Sequence, residues 1–457
     1  MRDLNQYLQS RNGRWHYVRR ILKPYLQVDN RAMIRKSLRT SSLEVARARR
    51  DALVEADNQY WSTLSYQGAS GKIGLTTKAA INRYQSAKRR AMARGFIYTP
   101  VDELAQTAAL QELIERFALV NNAKTNQAQE VEAVLGGAKT PSVKITEALE
   151  IYFEKIAISE LLHKSENQIK SWRKVKLRAI SNFGKHVGNI PMDKITRKHA
   201  RKFYGWWGNR LKPKDGKRGL SANSANRDLG NVRKLYREYW EYVGEESREN
   251  PFRNLHYTDN SIKDVPPFAD DWVRAQILKP NIFKGLKNEA ALLVYDLIET
   301  GCRPSELANL LPENIVLEHE VPHIRIRARE DMQLKSKLSI RDIPLVGVSL
   351  EAFKKSPSGF PHYRDRSNLL SASLMDAFRK RDLFSYKDHR IYSFRHSFEK
   401  RMLEAGLDYG LRCLLMGHKN SRPYYGDGGS MEFRRDELLK IAHPVTDAFI
   451  ESLDKHY

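Results

Sequence analysis

An arginine, a histidine and two tyrosines lie close together near the C-terminal end of the sequence. Arg395 lies in a Tyr-Ser-Phe-Arg-His run, His418 follows Leu-Leu-Met-Gly, and Tyr424 and Tyr425 come a few residues later. A guanidinium can donate to two oxygens of one phosphate, and a histidine can donate to the same group or transfer a proton. A tyrosine hydroxyl can attack phosphorus and hold it covalently. Each residue alone is more often a surface arginine or a loop tyrosine, so the prediction of phosphate chemistry rests on their combination.

Two predicted helices position the arginine and the histidine. Apolar residues recur every three to four positions after Ser393, which predicts a helix that Ser393 caps and Gly406 ends. Tyr392 then lies one turn before the arginine. A second apolar run ends at Gly417, so the histidine that follows lies just past a helix C-terminus, where a sharp turn presents the ring.

A second arginine lies upstream at a predicted helix corner. The apolar run 290–298 predicts a buried helix that ends at Gly301, and another helix is expected to begin around Pro304. Arg303 lies at the corner between them. Glu306, three residues further on, can reach back and orient the arginine.

These motifs follow one another in a fixed order along the C-terminal part of the chain. Thr-Gly-x-Arg-x-x-Glu-Leu around Arg303 precedes a basic hairpin, then x-x-x-Arg-His around Arg395, then Leu-x-Gly-His at His418, then a tyrosine. The series resembles the tyrosine recombinase, or phage integrase, family. The resemblance implies a mainly α fold with a small β component: a helical core-binding bundle, an α/β tyrosine-recombinase catalytic domain and a small N-terminal β-β-α arm module.

The resemblance also implies a role for each residue that would bind the phosphate. Arg303 and Arg395 would bind its two nonbridging oxygens, His418 would add a donor, and Glu306 would support the first arginine. Tyr392 stands where the family most often has a histidine, and it is expected to serve as a phosphate donor.

Two positions have more than one candidate residue: the lysine that would donate the proton and the tyrosine that would form the covalent link. The family places a lysine on the basic hairpin, where it gives a proton to the departing 5′ oxygen; by position Lys335 matches best, and Lys337 remains an alternative because hairpin length varies. Tyr425 is preferred as nucleophile to Tyr424, because Tyr-Gly-Asp-Gly resembles the form found in a subset of these integrases. Attack by Tyr425 would give a 3′-phosphotyrosyl link and a free 5′ hydroxyl.

Composition favours a polyanionic partner. The 457 residues include 79 Lys and Arg against 54 Asp and Glu, a formal net charge of +25. Basicity alone is also typical of ribosomal and membrane-surface proteins.

Cys302 and Cys413 lie in apolar helical contexts and are expected to be reduced packing residues. The polar N-terminus and the lack of a run of about 20 apolar residues predict a cytoplasmic protein without a membrane span.

Five regions are predicted along the chain. They are an N-terminal arm-type DNA-binding module (1–65), a helical connector (66–139), a core-binding helical domain (140–257), a linker (258–267) and a catalytic domain (268–457). In the arm module, two alternating runs predict two strands, and a helix is expected from Leu43 to about Trp61. Its aromatic and basic residues suit DNA contact and a simple basic module equally. These residues are Trp15, Arg19, Arg20, Arg35, Lys36 and Arg39.

Four amphipathic helices with basic connectors are predicted for the core-binding domain. In the family this domain binds one face of the duplex while the catalytic domain binds the other. The candidate phosphate contacts are Lys212, Lys214, Lys217, Arg218, Asn223, Asn226 and Arg227.

The function that the resemblance implies is site-specific DNA recombination, by the integrase of a prokaryotic phage or mobile element. Expected partners are double-stranded DNA, a homo-tetramer in the synaptic complex and a DNA-bending accessory protein; no metal or other cofactor is expected. Apolar spacing over 445–453 predicts an amphipathic C-terminal helix, and the resemblance implies that this helix docks on a neighbouring subunit. Two alternatives remain open, namely a topoisomerase-like or hairpin-end resolving strand transferase and a catalytically decayed DNA-binding regulator.

Overall fold

The described part of the chain is mainly helical, with two small three-stranded sheets. The computed structural model describes residues 4–26, 29, 32–67, 73–121, 128–217, 219–259, 265–421 and 427–454. Two compact units are present: Met1–Ile158 with Val175–Asp259, and Ser159–Lys174 with Asn260–Tyr457. The predicted fold class is therefore confirmed. Within the described ranges, no helix has both the length and the apolar character needed to cross a membrane.

The first unit begins with an antiparallel sheet and a long helix. The strands β1 (Leu8–Arg11), β2 (Arg14–Arg20) and β3 (Met33–Ser37) pair in that order, and α1 (Leu43–Gln67) follows. The sequence predicts β2, β3 and the start of α1 but not β1. That strand is short and mostly exposed, so it lacks the apolar alternation on which the prediction depends.

Part of the basic surface predicted for this module points inward. Lys36 is buried and pairs with Glu130, which also accepts from Arg90 Nη1 at 3.2 Å. Burial lowers the pKa of Lys36 to about 8. Arg19 is buried as well and donates to the Val54 carbonyl at 3.0 Å. The DNA-contact expectation is therefore wrong for Arg19 and Lys36, whereas Arg20, Arg35 and Arg39 remain exposed.

Helices make up the rest of the first unit and cross into the second. They are α2 (Ile73–Ala93), α3 (Val101–Thr107), α4 (Leu110–Asn121), α5 (Ala128–Val134), α6 (Ile145–Ile151), α7 (Ile158–Leu161), α8 (Glu166–His186), α9 (Arg197–Leu211) and α10 (Ala222–Val243). The four helices predicted between 145 and 243 correspond to α6, α8, α9 and α10. Their apolar faces meet in a core where the rings of Phe183 and Phe203 lie 5.4 Å apart.

The second unit contains the remaining helices and the second sheet. In chain order these are α11 (Asp270–Trp272), α12 (Asn288–Thr300), α13 (Pro304–Leu307), β4 (Ile315–Val316), β5 (His323–Ile326), β6 (Arg341–Pro344), α14 (Gly347–Lys354), α15 (Ser367–Lys380), α16 (Ser393–Glu404), α17 (Tyr409–Met416), α18 (Met431–Leu439) and α19 (Asp447–Asp454). The strands form an antiparallel sheet in the order β4-β5-β6. Helix α12 is buried along almost its whole length, so the elements around it share one core.

The C-terminal helix α19 packs on its own unit. Phe449 and Leu453 are buried, and the Phe449 ring meets that of Tyr295 on α12 edge-on, with centroids 4.9 Å apart. The sequence predicts that this apolar face docks on a neighbouring subunit. Within this chain α12 already covers Phe449, which leaves that ring unavailable for such docking, and Leu453 is buried as well.

Candidate active site

A sharp turn between α12 and α13 places Arg303. Gly301 ends α12 in the left-handed conformation with φ of 59°. A Cβ at this position would lie 2.3 Å from Cδ1 of Phe398, so both the backbone and the space require glycine. Arg303 is the N-cap of α13, followed by Pro304 at the first helical position, as the sequence predicts.

Glu306 fixes the orientation of Arg303. Its carboxylate accepts from the Arg303 backbone N–H at 3.0 Å and from Nη1 at 2.5 Å. Nη1 also donates to Ser339 Oγ at 3.2 Å, and Nε is buried without a hydrogen-bond partner among the described residues. Although burial acts to raise it, the pKa of the Glu306 carboxyl is lowered by the Arg341 guanidinium and by Arg303. The carboxylate is therefore ionised and serves both arginines.

Arg341, on β6, is part of this cluster although the sequence analysis assigned it no role. Its side chain is fully buried and donates from Nη2 to Glu306 Oε2 at 2.9 Å. Its Nε donates to the Leu415 carbonyl at 2.8 Å, and Nη1 donates to the Ser339 carbonyl at 2.7 Å. The alternation along the strand indicates that Arg341 is buried, because it lies on the same face as Ile343. A charge on that buried face implies a buried partner.

Arg395 connects three elements of the second unit. It lies on α16 with 2% of its surface exposed. Nη1 donates to the Gly301 carbonyl at 2.5 Å, and Nη2 contacts the Met416 carbonyl and lies 3.0 Å from His418 Nε2. Burial and then the positive charge of Arg303 lower the pKa of the Arg395 guanidinium. Arg303 and Arg395, although distant in sequence, are therefore close enough for their charges to repel each other.

His418 faces the same cluster from the end of α17. Gly417 ends that helix in the left-handed conformation, and His418 follows it with its side chain exposed, as predicted. Burial of part of the ring and the charge of Arg395, followed by that of Arg303, lower the pKa of His418. The ring is thus neutral at pH 7. Because Nε2 faces a guanidinium donor, the ring carries its hydrogen on Nδ1.

Tyr392 lies beside this cluster at the start of α16. It is the N-cap residue, so the helix begins at Ser393, one residue earlier than the sequence predicts. The Ser393 hydroxyl instead accepts from the Arg390 backbone N–H at 3.0 Å. Tyr392 remains 36% exposed, and its ring meets that of His396 edge-on at 5.5 Å.

A cleft of about 460 Å³ opens beside Arg303. Arg303 and Glu306 line it together with Lys335, which lies in the exposed connection between β5 and β6. Lys337 begins a short 3-10 turn, Lys337–Ser339, and is not part of the lining. Among the described residues, Lys335 is thus the hairpin lysine that shares a cleft with an arginine of the cluster.

The two candidate nucleophiles, Tyr424 and Tyr425, lie outside the described residues, which end at Ser421 and resume at Asp427. Arg434 of α18 holds the backbone at the point where the described residues resume. Its Nη2 donates to the Asp427 carbonyl, and its Nε donates to the Gly428 carbonyl at 3.4 Å. The choice between the two tyrosines stays a prediction.

The candidate DNA contacts of the first unit differ in availability. Lys214 and Lys217 flank a tight turn closed by paired backbone hydrogen bonds of 3.1 and 2.9 Å, and both are exposed. Lys212, Asn223 and Arg227 are exposed too, whereas Arg218 lies outside the described residues. Asn226 accepts from the Tyr257 backbone N–H and donates to its carbonyl, both at 2.8 Å. Its amide therefore fixes a backbone segment, a role that the sequence does not predict.

Comparison with known proteins returns integrases among solved structures. No family model and no curated protein matches the sequence. A fragment of the Tn1549 transposon integrase in complex with transposon right end DNA is 16% identical, with a TM-score of 0.41, covering 68% of this chain and 99% of that one. A lambda integrase tetramer bound to a Holliday junction is 16% identical, with a TM-score of 0.46, covering 70% and 89%. The integrase from mycobacterium phage Brujita is 15% identical, with a TM-score of 0.30, covering 68% and 96%. At these TM-scores the likeness supports no argument about function. That argument rests on the side chains of the site.

Proposed function

We propose that this protein is a tyrosine-type site-specific DNA recombinase that cleaves and rejoins strands through a 3′-phosphotyrosyl intermediate. The observation that carries the proposal is a local excess of positive charge. Arg395, Arg303 and Arg341 all act to lower the pKa of His418, whereas Glu399 acts to raise it, and Arg303 and Arg341 share the Glu306 carboxylate. A buried positive excess is costly without an anion, and a backbone phosphate supplies one.

Arg303 and Arg395 are suited to stabilise the transition state of phosphoryl transfer. In that state negative charge accumulates on the nonbridging oxygens of the phosphate, and preorganised donors stabilise it. Glu306 preorganises Arg303, and the Gly301 and Met416 carbonyls preorganise Arg395. Removal of one such donor typically costs about 10² to 10³ in rate.

Tyr425 and Lys335 would make and break the bonds. The phenolic oxygen forms a bond to phosphorus, its proton passes to solvent, and the bond from phosphorus to the 5′ oxygen breaks. The Lys335 ammonium gives a proton to that oxygen, which leaves as a hydroxyl. The phosphotyrosyl link conserves the energy of the broken bond. A 5′ hydroxyl of another strand can therefore attack in reverse and restore the backbone without nucleotide hydrolysis.

The remaining parts of the proposal concern DNA binding and assembly. The exposed turn at Lys214 and Lys217, with the net charge of +25, supports electrostatic binding of duplex DNA by the first unit. The domain boundaries at 65, 139, 257 and 267, a synaptic homo-tetramer and a DNA-bending accessory protein remain part of the proposal, as does the origin in a phage or mobile element.

A nicked suicide substrate tests the proposed reaction, because loss of a short 5′ fragment traps the covalent intermediate. The wild type is expected to form a protein–DNA adduct that Tyr425→Phe abolishes and Tyr424→Phe retains. Exchange between two duplexes would then separate a recombinase from a strand transferase that acts on one duplex. Absence of an adduct in the wild type, on DNA that it binds, would overturn the proposal.

A further inference from the structure

Residues 164–168 of the second unit, which lead into α8 and include its first turn, contact the loop that carries Lys335. Gln168 accepts from the Gln333 backbone N–H through Oε1 at 3.1 Å and donates from Nε2 to the Gln333 carbonyl at 2.7 Å. Lys164 donates to the Gln333 side-chain oxygen at 2.5 Å. The side-chain amide of Gln168 thus forms hydrogen bonds with both the N–H and the carbonyl of Gln333. Gln333 lies two positions before Lys335, the proposed general acid.

The same segment is also held by Asp365, another residue that lines the cleft. The Asp365 carboxylate accepts from the Asn167 backbone N–H at 3.1 Å and from the Ser165 hydroxyl. The Asp365 backbone N–H donates to Asn309 Oδ1 at 2.7 Å, and Asn309 Nδ2 donates to the Ser305 carbonyl at 2.7 Å. Ser305 lies in α13, directly after the Arg303 corner.

The oxygen of the Gln168 side-chain amide accepts two hydrogen bonds. Besides the N–H of Gln333, it accepts the Ser165 backbone N–H at 3.1 Å, and the Gln168 backbone N–H donates to Ser165 Oγ at 3.2 Å. The side chain is therefore held at the start of α8 by one set of hydrogen bonds and holds the loop by another. The connection between β5 and β6 is otherwise exposed at Gln333 and Lys335.

We propose that Gln168 is a positioning residue for the general acid: it fixes the backbone of Gln333 so that Lys335 remains at a set distance from the Arg303 side of the cleft. The inference rests on the proposed function and assigns part of it to a residue distant from the catalytic motifs. The contacts of Asp365 with Ser165 and Asn167 hold the segment that carries Gln168 in place. Loss of the amide would let the loop move while the arginine cluster stays intact.

The test compares two leaving groups in single-turnover cleavage by the full chain. One substrate carries the ordinary phosphodiester, and the other carries sulfur in place of the departing 5′ oxygen. A thiolate leaves without protonation, so the second substrate needs no general acid. The variants are Gln168→Ala, the shape-conserving Gln168→Glu, Lys335→Ala, and Glu166→Gln, a control whose side chain is 87% exposed on the same turn.

Gln168→Ala loses both hydrogen bonds to Gln333 and is expected to slow cleavage of the phosphodiester about tenfold. Gln168→Glu keeps the acceptor and loses only the donor, so a smaller loss of about threefold is expected. Both variants should cleave the sulfur substrate near the wild-type rate. Lys335→Ala should show the same selectivity with a larger loss, about 10²-fold. Glu166→Gln should match the wild type on both substrates.

Equal slowing on both substrates would assign Gln168 a general structural role and overturn the inference, as would wild-type rates on both. These failures differ from failure of the proposed function, in which the wild type itself forms no adduct. If Lys335→Ala is not rescued by sulfur while the wild type cleaves, the general acid is another group, and the positioning role falls with it.

Discussion

Replacement of Glu306 by glutamine would remove the negative charge that Arg303 and Arg341 share. The Arg341 side chain is 0% exposed and that of Glu306 is 5% exposed, so the variant leaves a guanidinium in the interior without a counterion. Loss of one partner of a buried pair costs about 3–5 kcal/mol. Arg341 keeps its hydrogen bonds to the Leu415 and Ser339 carbonyls, which favours the lower end, about 3 kcal/mol.

That loss is measurable as a shift in thermal unfolding. For units of this size about 1 kcal/mol moves the melting temperature by about 2–4 °C, so Glu306→Gln should lower it by about 6–12 °C. Glu313→Gln, at an exposed position of the same unit, is the matched control and should melt like the wild type. Adding Arg341→Met to Glu306→Gln should recover part of the loss, because the unpaired charge is gone. Equal melting of Glu306→Gln and Glu313→Gln would refute the reasoning.

Three further predictions follow from single positions. Burial lowers the pKa of His389, so the unfolded chain protonates first as the pH falls; stability should drop in thermal scans as the pH is lowered through about 6.5, the ordinary pKa of histidine, and His389→Gln should reduce that dependence. Gly301→Ala should cost about 2 kcal/mol or more in urea unfolding, because φ is 59° and the Cβ would meet Phe398; wild-type stability would contradict this. Lys214→Ala with Lys217→Ala should weaken binding to any duplex and reduce the slope of log affinity against log salt by about 2; an unchanged slope would place both lysines off the DNA.

The parts of the site that follow from sequence are those fixed by local backbone signals. Gly301 and Pro304 mark the end of one helix and the start of the next, so the Arg303 corner is predictable from those two residues. Gly417 places His418 past α17 in the same way. The start of α16 was missed by one residue, because Ser393 accepts a hydrogen bond from the preceding turn rather than capping the helix.

The parts that do not follow are pairings between distant segments. Arg341 on β6 pairs with Glu306 on α13, and Gln168 on α8 hydrogen-bonds to Gln333, which lies 165 positions away, and neither residue of a pair identifies its partner from local sequence. The burial of Lys36 depends on Glu130, which a basic pattern in the first strands cannot reveal. Sequence therefore predicts which cations are present, while tertiary contacts decide which of them remain available for an anion.

The convergence of Arg303 and Arg395 on one phosphate is tested most directly by the cleavage rate on a methylphosphonate substrate. A methyl group there replaces one nonbridging oxygen and removes the charge that the arginines are proposed to bind. Arg303→Ala and Arg395→Met should each lose about 10² or more in rate on the phosphodiester and much less on the methylphosphonate, because the neutral phosphorus centre needs no such compensation. If either variant is equally impaired on both substrates, that arginine does not bind the charge of the scissile phosphate, and the account of the site is contradicted.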